Sequence, residues 1–403
     1  MTTLGGVRPR DARLRRLREA MVRAGLDALV ATSAANVEYL TGFALRMQSL
    51  ELFAGGHPLV GILVSTGPPV LVAPITDMVP AVFRGVTAAT RSYGRNYVAL
   101  PEGAQDLGRD ERAVIEALKP DTTFPDAVHA ATVVLRDARV RRIGVDDGGA
   151  ASLYCALAES LTDIECVPAG DTWRRVRAVK DSEEIERLRD AAGIIEVAME
   201  EVWRHTRPGA TEIELARRAS RVITDAGARP TLWYVGAGAA SALVDRLPTS
   251  RAIARGDLVM VDFGCEYCGY YADLARTAIV GDPGPRVTER YAAVHAAEAA
   301  AIARIRPGRA VADMFDHAVR AARSNGIPRF DRRHVGHGIG LEPYDLPILL
   351  AASDDSLEAG MVVNVETPYY EVGFGGLQLE DTLVVTEEGV EFLSGAPRTL
   401  RLL

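Results

Sequence analysis

Cysteine, excess positive charge and long apolar runs are all scarce or missing in this chain of 403 residues. Its four cysteines are too few for a disulfide framework. The formal net charge of −8 and the pI near 5.5 exclude the basic footprint expected of a nucleic-acid-binding protein. No stretch reaches about 18 consecutive apolar residues, and charged residues interrupt residues 1–35, so neither a membrane span nor a signal peptide is predicted. We therefore expect a cytoplasmic protein that binds neither nucleic acid nor membrane.

The chain length predicts two domains, because one hydrophobic core rarely extends beyond about 250–300 residues. Hydrophobic residues make up 48% and charged residues 25% of the chain, values typical of a globular protein. Apolar spacing predicts a helix at 11–25 and a strand at 28–32, which open a small α/β unit. We interpret 167–172 as a linker, which gives an N-terminal domain of residues 1–168 and a C-terminal domain of residues 169–403.

The C-terminal part begins with a long amphipathic helix, for which Asp181 or Ser182 is the predicted N-cap. Further helices are predicted at 209–228, 287–306 and 309–325, beside two β-hairpins. This mixture of helices and strands predicts an α/β (α+β) fold.

Asp262 and Asp273 lie in two apolar β-type runs joined by a glycine-containing turn, a pattern that predicts a hairpin. On one straight strand their eleven-residue separation would point them to opposite faces. A hairpin that turns at Tyr267 and Cys268 pairs them directly instead, with Cβ atoms about 4.5–5.5 Å apart. Two carboxylates that close repel each other, which raises one pKa or requires a cation between them. A shared metal ion satisfies this requirement.

A second pair of carboxylates follows the same pattern. Glu366 ends a β-type run at 361–366, Glu380 lies within a second run at 377–385, and a glycine-rich turn at 373–376 separates the two runs. A second hairpin would again place the two side chains face to face. His337 lies between two glycines, whose small size allows the backbone and the imidazole to approach a ligand closely.

These five side chains form a set suited to metal binding. Four carboxylates and one imidazole favour manganese, cobalt, iron or zinc over a soft-metal or iron–sulfur site. Two divalent ions would balance the four negative charges. The sequence therefore predicts a dinuclear site, with manganese ranked first, whose ligands are Asp262, Asp273, His337, Glu366 and Glu380.

Cys265 and Cys268 form a Cys-x-x-Cys pair, which could be a redox motif or half of a zinc site. A redox motif usually opens a helix, whereas this pair lies at the predicted hairpin turn. The sequence has no second Cys-x-x-Cys to complete a zinc tetrahedron. We therefore assign no redox role to the pair.

Four sequence motifs, in a fixed order along the chain, contain the five candidate ligands. They are Asp-x-Gly with Gly-Tyr-x-x-Asp-x-x-Arg-Thr, then Gly-His-Gly-Ile-Gly-Leu, Met-Val-x-x-x-Glu and Glu-Asp-Thr. Together they resemble the pita-bread metallopeptidases, the superfamily of prolidase, aminopeptidase P, methionine aminopeptidase and creatinase. Residues 11–43 and 173–195 also resemble the N-terminal domain and the connecting helix of the prolidase and creatinase branch. The resemblance implies a creatinase-like α/β domain, a C-terminal pita-bread domain and a homodimer.

The resemblance also implies a reaction, in which metal-activated water attacks the amide bond before proline in a short peptide. It implies that Asp273 and Glu380 bridge two divalent ions, that Asp262 binds one of them, and that His337 and Glu366 bind the other. Glu366 is then the candidate for taking a proton from the attacking water. The predicted catalytic residues are accordingly Glu366 and His337.

Three positions around the site depart from the family pattern. Prolidase-type enzymes carry histidines where this chain has Asp245 and Tyr344, and an arginine where it has Gln378. These substitutes supply less positive charge, so the pocket could prefer a neutral or cationic substrate, unless Arg246 or His334 compensates. His334 itself could be a further ligand, a proton shuttle or a structural histidine.

Three function classes follow, of which a Xaa-Pro dipeptidase or aminopeptidase ranks first. The alternative is a non-peptidase on the same fold, either a hydrolase of small C–N compounds such as creatinase or ectoine hydrolase, or a metal-dependent lyase of dimethylsulfoniopropionate. The three replaced residues favour this alternative. A non-catalytic binding module ranks third, because such relatives are expected to have damaged ligands and all five are intact here.

Overall fold

The computed structural model of the chain describes residues 9–43, 58–83, 86, 88–95, 107–109, 111–112, 115, 123–147, 151–244 and 246–403. The chain divides into two compact units, Met1–Val176 and Arg177–Leu403. Helices and sheets occur in both units, which confirms the predicted α/β (α+β) fold class. The predicted domain boundary after residue 168 falls directly after the last strand of the first unit.

The described part of the first unit is built around one mixed sheet. Its strands are β1 (Ala28–Ala31), β2 (Val60–Val64), β3 (Val70–Pro74), β4 (Ala89–Tyr93), β5 (Thr123–Phe124), β6 (Arg142–Val145) and β7 (Glu165–Pro168). Their order is β5-β4-β3-β2-β1-β6-β7, with β2 antiparallel to both of its neighbours and the other pairs parallel. Its helices are α1 (Pro9–Ala24), α2 (Ala34–Thr41), α3 (Met78–Phe83), α4 (Ala127–Asp137), α5 (Ala151–Ser160) and α6 (Gly170–Ala178), the last of which ends in the second unit.

The stretch 167–172 is not a linker, contrary to the prediction. Val167 continues β7 and pairs with Gly144 of β6, and the N–H of Ala169 donates to the carbonyl of Val145 at 2.7 Å. Helix α6 then begins at Gly170. The segment is structured because its backbone groups hydrogen-bond within the neighbouring strand pair and the helix. The proline and glycine content of the segment does not reveal these bonds.

The second unit holds a larger sheet. Its helices are α7 (Ser182–His205), α8 (Glu212–Asp225), α9 (Gly284–Ile302) and α10 (Val311–Ser324). Its strands are β8 (Arg229–Ala237), β9 (Leu258–Tyr267), β10 (Tyr270–Ile279), β11 (Gly336–Gly338), β12 (Asp345–Ile348), β13 (Val362–Glu366), β14 (Tyr369–Glu371), β15 (Gly375–Leu377), β16 (Glu380–Val385), β17 (Val390–Phe392) and β18 (Arg401–Leu402). The main sheet has the order β12-β11-β13-β16-β10-β9-β8, with β17 on β16 and β18 on β10. None of the described helices is both long and apolar enough to cross a membrane.

Helix α7 begins with a capping box at Asp181. The Asp181 carboxylate accepts from the N–H of Glu184 at 3.0 Å, and the Glu184 carboxylate accepts from the N–H of Asp181 at 2.9 Å. These two bonds satisfy backbone donors that a helix start otherwise leaves open. Of the two N-caps predicted from the sequence, Asp181 is confirmed and Ser182 is instead the first residue of the helix.

Strand alternation separates apolar side chains from carboxylates in the main sheet. On β9 the odd-numbered residues of Val259–Cys265 pack with α7 and α8, so Asp262 faces the other way. On β13 Val365 packs with α9 and α10, so Glu366 also lies on the opposite side from the helices. The helices thus leave one face of the central strands open for polar chemistry.

The first hairpin forms in a register that differs from the prediction. Its turn lies at Cys268 and Gly269, whose φ values of 50° and 89° give the left-handed backbone of a tight two-residue turn. Asp273 therefore pairs with Gly264, and Asp262 lies two residues further along β9. The direct pairing of Asp262 with Asp273 was wrong, because the turn needs glycine at its second position. The aspartates still share a face as diagonal neighbours.

The second hairpin has the predicted register. Glu366 and Glu380 are direct Cα partners across β13 and β16. The connection between them is itself structured, because β14 and β15 pair inside it, with Tyr369 opposite Leu377. The prediction that these two glutamates face each other is confirmed.

Candidate metal centre

Five neighbouring strands of the main sheet each supply one of the five sequence-predicted ligands. In sheet order, β11, β13, β16, β10 and β9 carry His337, Glu366, Glu380, Asp273 and Asp262 respectively. Asp262 and Glu380, the first and last of the five in sequence, are more than a hundred residues apart, and only the sheet brings them together.

The side chains converge at atomic distances. Ligand atoms of Asp273, His337 and Glu380 all lie within 4.8 Å of one another. The Asp262 carboxylate is a direct neighbour of the Asp273 side chain, and the Gln378 amide donates to both Asp262 and Glu380. His337, Glu366 and Glu380 are buried, whereas the two aspartates are partly exposed. The cluster is therefore compact and has an accessible side at the aspartates.

The carboxylates of the cluster repel one another. Burial, followed by the charges of Asp262 and Glu366, raises the pKa of Asp273 well above its ordinary value. Burial also raises the pKa of Glu380 well above its ordinary value. The charges of Asp273, Asp262 and Glu366, in that order, add to this increase. The Oδ1 atom of Asp273 is buried and accepts no hydrogen bond from a described residue. A bound cation would relieve the repulsion and satisfy this oxygen.

The His337 ring is oriented for metal binding. Its Nδ1 lies 3.0 Å from the carbonyl oxygen of Gly338. Because a carbonyl oxygen only accepts, Nδ1 carries the proton and the lone pair is on Nε2. Burial lowers the pKa of His337, which favours the neutral ring that a metal ion requires. The Tyr344 ring stacks on the imidazole at 3.8 Å between centroids and fixes its plane.

Asn364 and Gln378 hold the Glu380 carboxylate from both sides. The Asn364 amide donates to Glu380 Oε1 at 2.5 Å, and Gln378 Nε2 donates to Glu380 Oε2 at 2.8 Å. Tyr370 donates in turn to the Gln378 carbonyl oxygen at 3.1 Å, and Thr382 donates to that of Asn364 at 3.1 Å. Such supporting bonds commonly orient metal ligands. Gln378 was predicted near the substrate, whereas Asn364 was missed because only the strand pairing brings it to the site.

Arg276 anchors the backbone behind the carboxylates. Its guanidinium donates to the carbonyl of Glu380 at 2.6 Å and to the Asp381 carboxylate at 2.5 Å. Further bonds go to the carbonyls of Ala396 and Pro397. Asp381 therefore pairs with arginine rather than with a candidate ligand side chain.

Glu366 has two basic neighbours. Arg332 donates to Glu366 Oε2 at 3.1 Å, and His334 Nδ1 lies 3.4 Å from Glu366 Oε1. Burial lowers the pKa of His334, so this ring is neutral at pH 7. The sequence pointed to His334 but not to Arg332, although the two lie in the same short segment before the ligand histidine.

Only some of the residues predicted near the substrate lie at the cluster in the structure. Tyr344 and Gln378 lie at the cluster, whereas Asp245 lies outside the described residues. Arg246 is not available to compensate for lost positive charge, because its guanidinium binds the buried carboxylate of Glu212 and the carbonyls of Ala240 and Leu247.

A cavity of about 250 Å³ opens beside Asp262. Tyr370 and Gln378 line this cavity, and the Gln378 amide connects it to the carboxylates of Asp262 and Glu380. The wall is largely apolar, and Trp233 is 40% exposed there. Its lining residues are Thr231, Leu232, Trp233, Tyr234, Val244, Arg246, Leu247, Pro248, Met260, Asp262, Tyr370 and Gln378. A small molecule or the end of a short peptide fits this volume.

Comparison with known proteins places the chain in a family. Residues 186–387 match the profile of metallopeptidase family M24, and residues 13–179 match the creatinase/prolidase N-terminal domain. An uncharacterized peptidase, YqhT, of Bacillus subtilis is 29% identical, with 97% of this chain and 100% of that protein covered. The probable dipeptidase PepE of Mycobacterium tuberculosis is 31% identical, with 62% of this chain and 71% of that protein covered.

Solved structures agree with the sequence matches. A Xaa-Pro dipeptidase from Bacillus anthracis has a TM-score of 0.80 at 26% identity, with 98% of this chain and 100% of that chain covered. The predicted creatinase-like domain and pita-bread domain are thereby confirmed. Since the M24 match spans half of the sequence and the relatives are peptidases, the chain belongs to metallopeptidase family M24 and is a hydrolase.

Proposed function

We propose that the chain is a dinuclear metal-dependent peptidase that cleaves the bond before proline in short peptides. The observation that carries the proposal is the convergence of one candidate ligand from each of five neighbouring strands on a buried, mutually repelling carboxylate cluster. The names of the relatives support the substrate class, since they include a probable dipeptidase and a Xaa-Pro dipeptidase.

The donor set suits two divalent ions. Four carboxylates and one neutral imidazole favour manganese, with cobalt, iron or zinc as alternatives. Such ions supply Lewis acidity toward a carbonyl and lower the pKa of a water. The residues proposed to hold them are Asp262, Asp273, His337, Glu366 and Glu380.

Glu366 is the proposed general base. Its carboxylate would accept a proton from the attacking water and return it to the leaving nitrogen. Arg332 donates to one of its oxygens and limits its rotation. Gln378 keeps Asp262 and Glu380 aligned through its amide, and Tyr370 fixes that amide.

The cavity beside Asp262 supports a small, partly apolar substrate. Trp233, Val244 and Leu247 present apolar surface there, whereas Arg246 is neutralised by Glu212. The proposed substrate is accordingly a dipeptide or tripeptide without a charged group at this wall. A homodimer and a cytoplasmic location remain predictions from the sequence and its resemblance.

The proposal is tested by turnover of Xaa-Pro dipeptides and Xaa-Pro-Xaa tripeptides with protein reconstituted with Mn(II), with bound metal counted in the same sample. We expect cleavage before proline, and the preferred length would separate a dipeptidase from an aminopeptidase. Protein that holds about two ions per chain but cleaves none of these peptides would contradict the peptidase proposal. That result would favour a hydrolase of small C–N compounds or a lyase, as the residues at Tyr344 and Gln378 suggest.

A further inference from the structure

Another cavity of the second unit lies away from the candidate metal centre. It has a volume of about 390 Å³ and lies where the turn after α7 leads into α8. Among the described residues, its charged lining consists of His205 and Glu214 together with four arginines, which are Arg207, Arg217, Arg218 and Arg221. The cavity is therefore strongly basic, although the chain as a whole has a formal net charge of −8.

The sequence of α8 gathers three of these arginines on one face. The apolar residues of the helix pack in the core with strand β9, and they are Leu215, Ala216, Ala219 and Ile223. Arg217 and Arg221 lie one helical turn apart on the opposite side and are exposed, with Arg218 between them in sequence. Like charges at this spacing repel each other and destabilise a helix. A bound anion would remove this repulsion.

Three of the four guanidiniums have no protein counter-ion. Within the described part of the chain, the side chains of Arg207, Arg217 and Arg221 form no hydrogen bond and no ion pair. Arg229 and Arg401 of the same unit, by contrast, each pair with a carboxylate, at 3.1 and 2.6 Å. Since a guanidinium carries five N–H donors, the cavity presents many donors that only water or a ligand can satisfy.

The nearby acids are already engaged. The carboxylate of Glu214 accepts from the N–H of Thr211 at 3.0 Å in the capping box of α8, and its charge also interacts with that of Arg207. Glu201 lies 3.4 Å from Arg218, but two further basic side chains pair with the same carboxylate. These two acids serve more basic groups than they can neutralise, so the cavity keeps a net positive charge.

The chemistry of the lining indicates the class of ligand. Guanidinium groups bind phosphate oxygens through paired hydrogen bonds, and they stay charged at neutral pH. Two guanidiniums one helical turn apart suit two linked phosphate groups, because Cβ atoms at this spacing are only about 5–6 Å apart. A volume of about 390 Å³ is that of a site for a small ligand.

We propose that this cavity binds a small molecule that carries a diphosphate group, with Arg207, Arg217 and Arg221 as its main contacts. Helix α8 covers the face of the sheet opposite the one that holds Asp262, so this site is separate from the candidate metal centre. The inference therefore does not depend on the proposed peptidase function. Inorganic pyrophosphate and a nucleoside diphosphate share the required chemistry, and the experiment distinguishes these two sources.

The test is calorimetric titration of pyrophosphate and of ADP into the full chain without added divalent ions, because such ions bind phosphate themselves. We expect both probes to bind, and Arg217→Gln combined with Arg221→Gln to weaken both by about 10-fold or more, the size of one charge-assisted hydrogen bond. Arg306→Gln combined with Arg329→Gln is the matched control. It removes two exposed arginines of the same unit that lie outside the cavity, so it should bind both probes as the wild type does.

The comparison of the two probes identifies the ligand further. Similar affinities would assign the binding to the diphosphate alone, whereas tighter binding of ADP would show that the cavity also holds the nucleoside. A thermal melt of the Arg217 and Arg221 double variant should lie at the wild-type temperature or above it, because the helix loses repelling charges. Loss of binding is then not a result of unfolding.

Three results would overturn the inference. The first is a wild-type chain that binds neither probe. The second is unchanged affinity in the double variant at Arg217 and Arg221. The third is an equal loss of affinity in the control at Arg306 and Arg329, which would mean that the probes respond to overall charge and not to this cavity.

Discussion

Tyr344 illustrates what one residue contributes to the proposed centre. Where the family resemblance places a histidine, this chain has an aromatic ring stacked on the candidate ligand His337, 3.8 Å between centroids and 20° between planes. The ring also lies edge-on to His334. Its contribution is therefore one of orientation, because it restricts the imidazole to the plane in which Nε2 faces the carboxylates.

Removal of this ring should weaken metal binding. We expect Tyr344→Ala to raise the Kd for Mn(II) by about 2- to 10-fold, the equivalent of an aromatic pair worth about 0.5–1.5 kcal/mol. Tyr344→Phe keeps the ring and should bind metal as the wild type does. Isothermal titration of both variants measures this, and equal affinity in the alanine variant would show that the stacking does not orient His337.

The sequence identifies the site residues that lie in a local sequence motif. It misses the site residues whose role depends on contacts with distant strands and loops. Asp262, Asp273, His337, Glu366 and Glu380 each have neighbours in sequence that indicate a strand or a tight turn. Asn364 and Arg332 have no such signal, because their contacts with Glu380 and Glu366 exist only once distant strands and loops come together.

At the scale of elements, the first hairpin shows how strongly a turn controls a site. The two-residue turn at Cys268 and Gly269 needs positive φ at both positions. It fixes the register in which Asp273 faces Gly264 rather than Asp262. Alternation alone predicts the shared face of the two aspartates, but it cannot determine the register, because a shift by two residues preserves the face.

A side chain at the second turn position should therefore destabilise the hairpin. We expect Gly269→Ala, at φ 89°, to lower the free energy of unfolding by about 1–2 kcal/mol, the cost of left-handed backbone for an L-residue. Gly389→Ala is the control, because that glycine lies in another hairpin turn with no described atom within 4 Å of an added Cβ. Urea unfolding measures both, and equal midpoints for the two variants would contradict the role of this turn.

At the scale of the whole molecule, the main sheet combines two hairpins with two pairs of helices. Helices α7 and α8 cover the β9–β10 hairpin, and α9 and α10 cover the strands that carry Glu366 and Glu380. The face of the sheet opposite these helices holds all five candidate ligands. The sequence predicted this fold class through its helix and strand periods, whereas the small β14–β15 pair and the structured segment 167–172 depended on tertiary pairing.

Repulsion among the carboxylates of the proposed centre destabilises the metal-free fold at neutral pH, and a bound metal ion would remove this repulsion. Four carboxylates gathered on one sheet face raise the pKa of Asp273 and Glu380, so the fold holds protons there that the unfolded chain releases. The stability that these bound protons give to the fold is fully present below the ordinary carboxyl pKa of about 4. This stability is lost as the pH rises through the raised pKa values of Asp273 and Glu380. Bound divalent ions would take the place of these protons at neutral pH.

The most direct test of the proposed dinuclear centre is a count of Mn(II) per chain after reconstitution and removal of free metal. We expect about two ions in the wild type, at most one in Asp273→Asn, and the wild-type count in Asp225→Ala, a control at an exposed acid. The metal-free Asp273→Asn protein should unfold at the same temperature as the metal-free wild type or higher, because it loses a repelling charge. A wild type that holds no metal, or an Asp273→Asn variant that holds two ions, would contradict the proposed centre.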